Sequence, residues 1–425
     1  MAILNLTWNG PQPYIAEGQP FVDTINLFQG AVTTDGFSVN AKMTDVGQVK
    51  LVVYSDEART SKVKESPLFS IDSDSVAKLK ITGLAANTQY YWAIEVSGMK
   101  CSIMGKAKTF PIGAANYKIL ASSCARGTGG EGGSAGSNQG VSNHSVFNNM
   151  RTAHSDALMF FHMGDLHYRN INSNNVNLFH SAYDDVLRQS NQQSLYKDMP
   201  LHYMFDDHDF GPNDSNSTSP SKPAAIKAYK SRVPHYPLVF NGENDPTTQS
   251  FAIGRVRYIM LDVISAKIFN QTILGPVQKQ WLKDTLLTVT EPVICLMAQD
   301  PWITTLEDNG WNGAPNERAE LISFFQTNGL TDRIFMVYGD THMAAMDDGT
   351  HSGGFPCFLF SSLDSGGTLK GGPYSQGYAL DAAGGQYGAI EIADTGTTIS
   401  VKATAYRFKG GIQTELITYT KLFST

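Results

Sequence analysis

From residue 117 to residue 363 the chain repeats one arrangement: a short apolar run, a polar loop, then a helical pattern. That alternation constrains the fold more than any other feature. The apolar runs are residues 117–124 (YKILASSC), 157–165 (ALMFFHMGD), 201–209 (LHYMFDDHD), 255–264 (RVRYIMLDVI), 292–300 (PVICLMAQD), 333–342 (RIFMVYGDTH) and 356–363 (PCFLFSSL). Between them, residues 144–154, 181–190, 223–235, 274–287 and 318–329 read as helices, and Pro276 sits near the start of the fourth. Strands apolar on both faces belong to sheets covered on both sides. The predicted fold class is therefore α/β, with buried sheets flanked by helices.

The chain before this region has a different period. Residues 36–43 (GFSVNAKM), 48–55 (QVKLVVYS), 75–84 (SVAKLKITGL) and 89–98 (QYYWAIEVSG) alternate apolar and polar side chains, with turn residues between them. No helical pattern interrupts them. The stretch 79–96 resembles the tyrosine-corner region of a fibronectin type III or immunoglobulin-like sandwich, where a Leu precedes a turn and a Tyr opens the next strand. Residues 1–112 are thus expected to form an all-β sandwich, and 113–425 a second domain that closes with β hairpins over 387–420. Between 125 and 140 the tract ARGTGGEGGSAGSNQG has almost no side chains able to pack, and reads as a linker or a loop draped near a site.

The α/β region carries its chemistry at the ends of its strands. Successive runs end in Cys124, in Asp165, in Asp206-Asp207-His208-Asp209, in Gln299-Asp300, and in Asp340 and His342. Open α/β sheets bind ligands outside the carboxyl ends of their strands. One Asp after a strand is an ordinary turn or cap, but five such endings point to one cleft. Carboxylate, thiolate, imidazole and phenolate together suit two or more metal ions. A carboxylate such as Asp165 is able to bridge two cations and clamp attacking and leaving oxygens in phosphoryl transfer. Soft donors favour a transition metal such as iron, and oxygen donors favour Mg, Ca or Mn, so a mixed site is expected.

Other classes find little support. The formal net charge is −7 and there is no dense Lys/Arg run, which argues against nucleic-acid binding. No window approaches a membrane span, and the start, MAILNLTWNGPQPY, has neither the charged region nor the apolar run of a signal peptide. Cys101, Cys124, Cys295 and Cys357 are scattered without a disulfide signature, and the last two, with Cys101, lie in β patterns that suggest core positions. Neither a G-x-S-x-G elbow, a P-loop nor a dinucleotide fingerprint is present.

Three of the strand ends, GDLHY (164–168), DDHD (206–209) and GDTH (339–342), resemble the GD, GNH and GHxH motifs of calcineurin-like metallophosphoesterases. They look more specifically like PhoD-type alkaline phosphatases and phosphodiesterases, with GDxxY, WDDHE and GDxH. A small-residue strand ending in Ser123-Cys124 and a helix bearing Gln278, Trp281 and Leu282 extend the similarity, as does a β-sandwich ahead of the catalytic domain. The resemblance implies a metallophosphoesterase domain with two packed sheets flanked by helices. It implies Fe3+ held by Cys124, Asp165, Tyr168 and His342, and Ca2+ at a companion site with Asp165, Asp207 and Asp340. A second Ca2+ would draw on Asp206, Asp209 and Asn213, while His208 contacts or protonates the substrate and Arg126 clamps its phosphate.

The chain departs from the pattern at Phe205 (Trp in the family), at Asp209 (Glu), and at Gln299-Asp300, where paired glutamines are usual. The sequence leaves open which of Gln299 and Asp300 faces the metals. The expected activity is hydrolysis of small phosphate mono- or diesters, with a metal-bound hydroxide or oxide attacking phosphorus in line. A phospholipase D-like activity on lipid head groups and a non-catalytic, metal-binding adhesion protein are the alternatives. The resemblance places the mature chain in the periplasm or outside the cell, with the cytoplasm still open; oligomeric state is not legible.

Overall fold

In the computed structural model, residues 23–44, 47–71, 74–127, 141–305, 310–367 and 369–425 are described. The starting segment and most of the glycine-rich tract, residues 128–140, lie outside the described residues.

The first strands obey their period of two. In Phe37–Met43 the residues Phe37, Val39, Ala41 and Met43 are buried, while Ser38, Asn40 and Lys42 are half-exposed. This strand pairs antiparallel with Thr24–Gly30 and Val76–Ile81. A second sheet orders Lys62–Glu65, Gln48–Tyr54, Gln89–Val96 and Met99–Lys108, with Phe69–Ser70 paired to Gln48–Tyr54. Leu27, Val39, Leu51, Leu79, Trp92 and Ile94 meet in one core. The corner forms as expected: Leu84 is buried, and the Tyr90 hydroxyl accepts a 3.0 Å hydrogen bond from the Ala85 amide, closing the turn into Gln89–Val96.

The α/β part consists of two sheets. Tyr117–Ser122, Phe160–Met163 and Leu201–Met204 are parallel, and the antiparallel strands Gln386–Asp394, Thr398–Lys409 and Ile412–Ser424 extend that sheet to six. The other sheet orders Gln249–Ile253, Val256–Met260, Val293–Met297, Ile334–Tyr338, Cys357–Phe360, Ala344–Asp347 and Tyr378–Ala379, with its four central strands parallel. Ile119, Phe161 and Met163 of one sheet share a core with Tyr258, Met297 and Val337 of the other. Alternate residues such as Leu120, Phe160, Ile259 and Leu296 join the helices in a separate core. Burial of both faces explains why these strands are apolar throughout.

Val146–Ala153, Val176–Leu187, Lys222–Arg232, Gly275–Thr288 and Pro315–Thr327 are the expected helices. Ser190–Asp198 is an additional one, and its sequence SNQQSLYKD conceals it. Only Gln192, Leu195 and Tyr196 are buried there, and the Gln192 amide donates to the Ser142 carbonyl. Among the described residues no helix is long and apolar enough to cross a membrane.

Candidate metal centre

The cleft lies where the parallel strands of both sheets end. Its backbone turns abruptly there. Cys124, Asp165, Tyr168, Asn170, Asp340 and His342 all have positive φ, between 50° and 66°. Each non-glycine residue in that region costs roughly 1–3 kcal/mol, and such strain gathers at functional sites. Two glycines allow the strand ends to touch. A Cβ on Gly164 (φ 90°) would stand 2.3 Å from Asp206 Cβ, and one on Gly339 would meet the Ser123 side chain. Hydrogen bonds lock the ends together: Cys124 N to the Gly164 carbonyl (3.1 Å), Asp340 N to Ser123 Oγ (3.1 Å), and Gly339 N to the Gln299 carbonyl (3.1 Å).

Three groups of donor atoms follow, each within 4.8 Å: Cys124, Asp165 and His342; Asp165, Asp207 and His208; and Asp165, Asp206 and Asp340. Asp165 is common to all three. Tyr168 reaches the same place, with its hydroxyl 3.1 Å from His342 Nε2 and hydrogen-bonded to Asp165. The Gly366 carbonyl lies 3.1 Å from His342 Nδ1; with the proton held there, Nε2 keeps its lone pair toward the cluster.

Burial, then the Cys124 and Asp207 charges, pushes the Asp165 carboxyl well above its ordinary range. Burial and the surrounding aspartates do the same to Asp206. The Cys124 thiol is pushed up to about 12 by burial and by Asp340, and burial lowers His342 to about 4. So many acids cannot ionise side by side without cations between them. The buried oxygens Asp165 Oδ1, Asp206 Oδ2, Gln299 Oε1 and Asp340 Oδ2 have no hydrogen-bond partner among the described residues. Orphaned oxygens beside a thiol, a phenol and an imidazole fit metal ions of both hard and soft preference.

The pair left open in the sequence divides cleanly. Gln299 Nε2 donates to the Phe205 carbonyl at 2.6 Å and leaves Oε1 unpaired, whereas Asp300 is 2.8 Å from Lys267 Nζ in an ion pair with both side chains almost fully buried. The DDHD segment is a single helical turn, Asp207–Phe210, that begins with a capping box made by Asp206 and Asp209. Asp209 accepts from the Leu166 and His167 amides, both at 2.9 Å, and so braces the 165–168 loop. Asn213 is exposed and its amide donates to Asp214, on a turn whose Asp214 amide donates to Asp207.

His208 lies against Tyr168 with ring centroids 4.5 Å apart and planes tilted by 33°, and its Nδ1 is 2.5 Å from Asn170 Oδ1. Exposed Arg126 lies over the other part of this rim, 5.9 Å from the Tyr168 ring centroid. Asn170 and Lys267 escaped the sequence reading. Asn170 stands five residues past Asp165 without a motif, and Lys267 is an isolated charge in the apolar stretch VISAKIF. Cys101, Cys295 and Cys357 are buried in strands and form no disulfide among the described residues. His144 and His167 are buried too: His144 Nδ1 accepts from the Val146 amide, and His167 lies 3.6 Å from Asp209.

A family model for PhoD-like phosphatases matches residues 133–379. The solved structure of PhoD superposes with a TM-score of 0.73 at 16% identity, covering 92% of this chain and 91% of that one. The purple acid phosphatase from seeds of yellow lupin (Lupinus luteus) gives 0.62 at 14% identity, covering 94% and 73%. At these identities the likeness is one of fold. No curated protein matches the chain.

Proposed function

The chain belongs to the PhoD-like phosphatase family and is a metal-dependent phosphoric ester hydrolase, and from that premise we propose how its residues divide the work. Cys124, Asp165, Tyr168 and His342 would hold a ferric ion. Asp165, Asp207, Asp340 and the unpaired Gln299 oxygen would hold calcium, with Asp206 beside them. The observation that carries this reading is the sharing of Asp165 by all three donor groups. When bound, such ions supply positive charge for the phosphate oxygens and lower the pKa of water.

The protein's own groups do the rest. Asn170, as acceptor from His208 Nδ1, fixes that ring so that Nε2 is free to donate a proton to the departing alkoxide. Arg126, exposed at the rim above Tyr168, offsets charge on the phosphate. Substrates are small phosphate mono- or diesters, and the location is outside the cytoplasm, as the resemblance implies. The test is release of nitrophenol from its phosphate mono- and diesters, with and without chelator, alongside elemental analysis and a visible spectrum. Iron with phenolate and thiolate ligands gives a charge-transfer band that disappears in Tyr168→Phe or Cys124→Ser. A colourless, iron-free and fully active protein would refute the iron assignment; activity untouched by chelator would refute the metal mechanism.

A further inference from the structure

Beyond Leu363 the chain folds back over the metal ligands and delivers a cation that the reaction as described does not use. The Leu363 amide donates to the Ser123 carbonyl (3.0 Å), and the Asp364 amide donates to that of Cys124 (3.1 Å). Gly366 then turns its carbonyl to His342 Nδ1. The segment is pinned again at Lys370, whose carbonyl accepts from Thr304 Oγ1 (3.0 Å) and from the Thr305 amide (3.2 Å). Just after it, the Tyr374 hydroxyl donates to the Ile303 carbonyl (2.8 Å), and a Cβ on Gly371 would stand 2.6 Å from that same oxygen. Lys370 is thereby held between the His342 side of the cleft and the loop that follows Gln299 and Asp300.

The Lys370 side chain is half-buried. Burial opposes its charge, but Asp340, Cys124, Asp207 and Asp165 raise the pKa of the ammonium, and burial together with Lys370 lowers that of His342. Among the described residues no hydrogen bond or ion pair engages this ammonium. It faces the acids of the centre without contacting them, the placing expected of a group that meets the substrate and not the metals.

We propose that Lys370 binds a terminal phosphate oxygen of the substrate and biases this enzyme toward phosphomonoesters. The inference deepens the small-ester reading of the same centre and rests on it. Above neutral pH a monoester carries about two negative charges spread over three terminal oxygens, whereas a diester carries one charge over two. In a diester the remaining position is an uncharged alkoxy group, from which an ammonium gains far less. A lysine is a compact point charge with rotatable donors, so it meets such an oxygen without the fixed fork that Arg126 presents.

Turnover of 4-nitrophenyl phosphate and of bis(4-nitrophenyl) phosphate by the metal-loaded protein tests this, alongside calorimetric titration with inorganic phosphate. Lys370→Met keeps the stem and removes the charge. Its kcat/KM should fall roughly 10- to 100-fold on the monoester and only about threefold on the diester, with metal content unchanged. Phosphate should bind it at least roughly tenfold more weakly, and Lys370→Arg should recover most of the monoester rate. Should Lys370→Met fail to fold, Lys370→Gln is judged by the same ratio. Equal losses on both esters, or none, overturn the proposal. A parent that hydrolyses neither ester sinks the small-ester reading, and phosphate affinity then decides: weakened in Lys370→Met, it keeps Lys370 as a phosphate ligand, and unchanged or absent in both proteins, it overturns that too.

Discussion

Replacing Gly164 with alanine tests whether the centre depends on two strand ends in direct contact. The added Cβ would stand 2.3 Å from Asp206 Cβ and 2.9 Å from Asp206 N. Carbon atoms rest at about 3.5–4.0 Å, so the ends of Phe160–Met163 and Leu201–Met204 must part by more than about 1 Å. Overpacking of this kind costs about 1–3 kcal/mol, and alanine at the φ of 90° found here adds roughly 1–2 kcal/mol more. Because Asp165 follows Gly164 directly, the same displacement separates Asp165 from Asp206, and a 1 Å misplacement costs on the order of 100-fold in rate. Gly164→Ala should therefore lose metal content, lose about two orders of magnitude in nitrophenyl phosphate turnover, and unfold at a lower temperature. Gly329→Ala is the control. Its φ is 65°, but a Cβ there meets nothing within 4 Å, so it should lose about 1 kcal/mol of stability and no activity. A Gly164→Ala enzyme with native metal content and turnover would refute the close-approach argument.

His208→Asn should keep its metal and lose roughly 100- to 10,000-fold in rate on esters with poor leaving groups, and less on nitrophenyl esters, which need little protonation. Equal losses on both would assign His208 to phosphate positioning; lost metal would make it a ligand, as its distance to Asp165 and Asp207 allows. Acid should weaken the fold through His202, which burial holds near a pKa of about 3 while it packs against Tyr236 and Phe251. The unfolded chain takes up that proton near pH 6.5, so stability falls as pH drops below 6.5, by about 2 kcal/mol at pH 5. His202→Gln should lack this component in urea unfolding at pH 7 and pH 5; an unchanged pH slope would show that the ring is charged in the folded protein.

The sequence by itself determined the layers and the list of chemical groups. Runs such as ICLMA and IFMVY, apolar at every position, leave no choice but a sheet buried on both faces, and FSVNAKM with its strict alternation leaves none but a half-exposed strand. The same runs deliver Cys124, Asp165, Asp206 and Asp340 to one end of two sheets, because parallel strands all finish on the same side. Local pattern could not reveal the partners of those groups. Gln299 and Asp300 are adjacent, and they differ in use because a lysine 33 positions away reaches one of them. Asp206 and Asp209 looked alike as oxygen donors, yet a helical turn commits Asp209 to backbone amides and leaves Asp206 Oδ2 unpaired. Ser190–Asp198 is a helix by virtue of what it packs against, since its polar sequence carries too few apolar residues to show a period. Period and composition are properties of neighbours along the chain, whereas hydrogen-bond satisfaction and charge balance at the metal centre depend on groups that meet only in the folded protein.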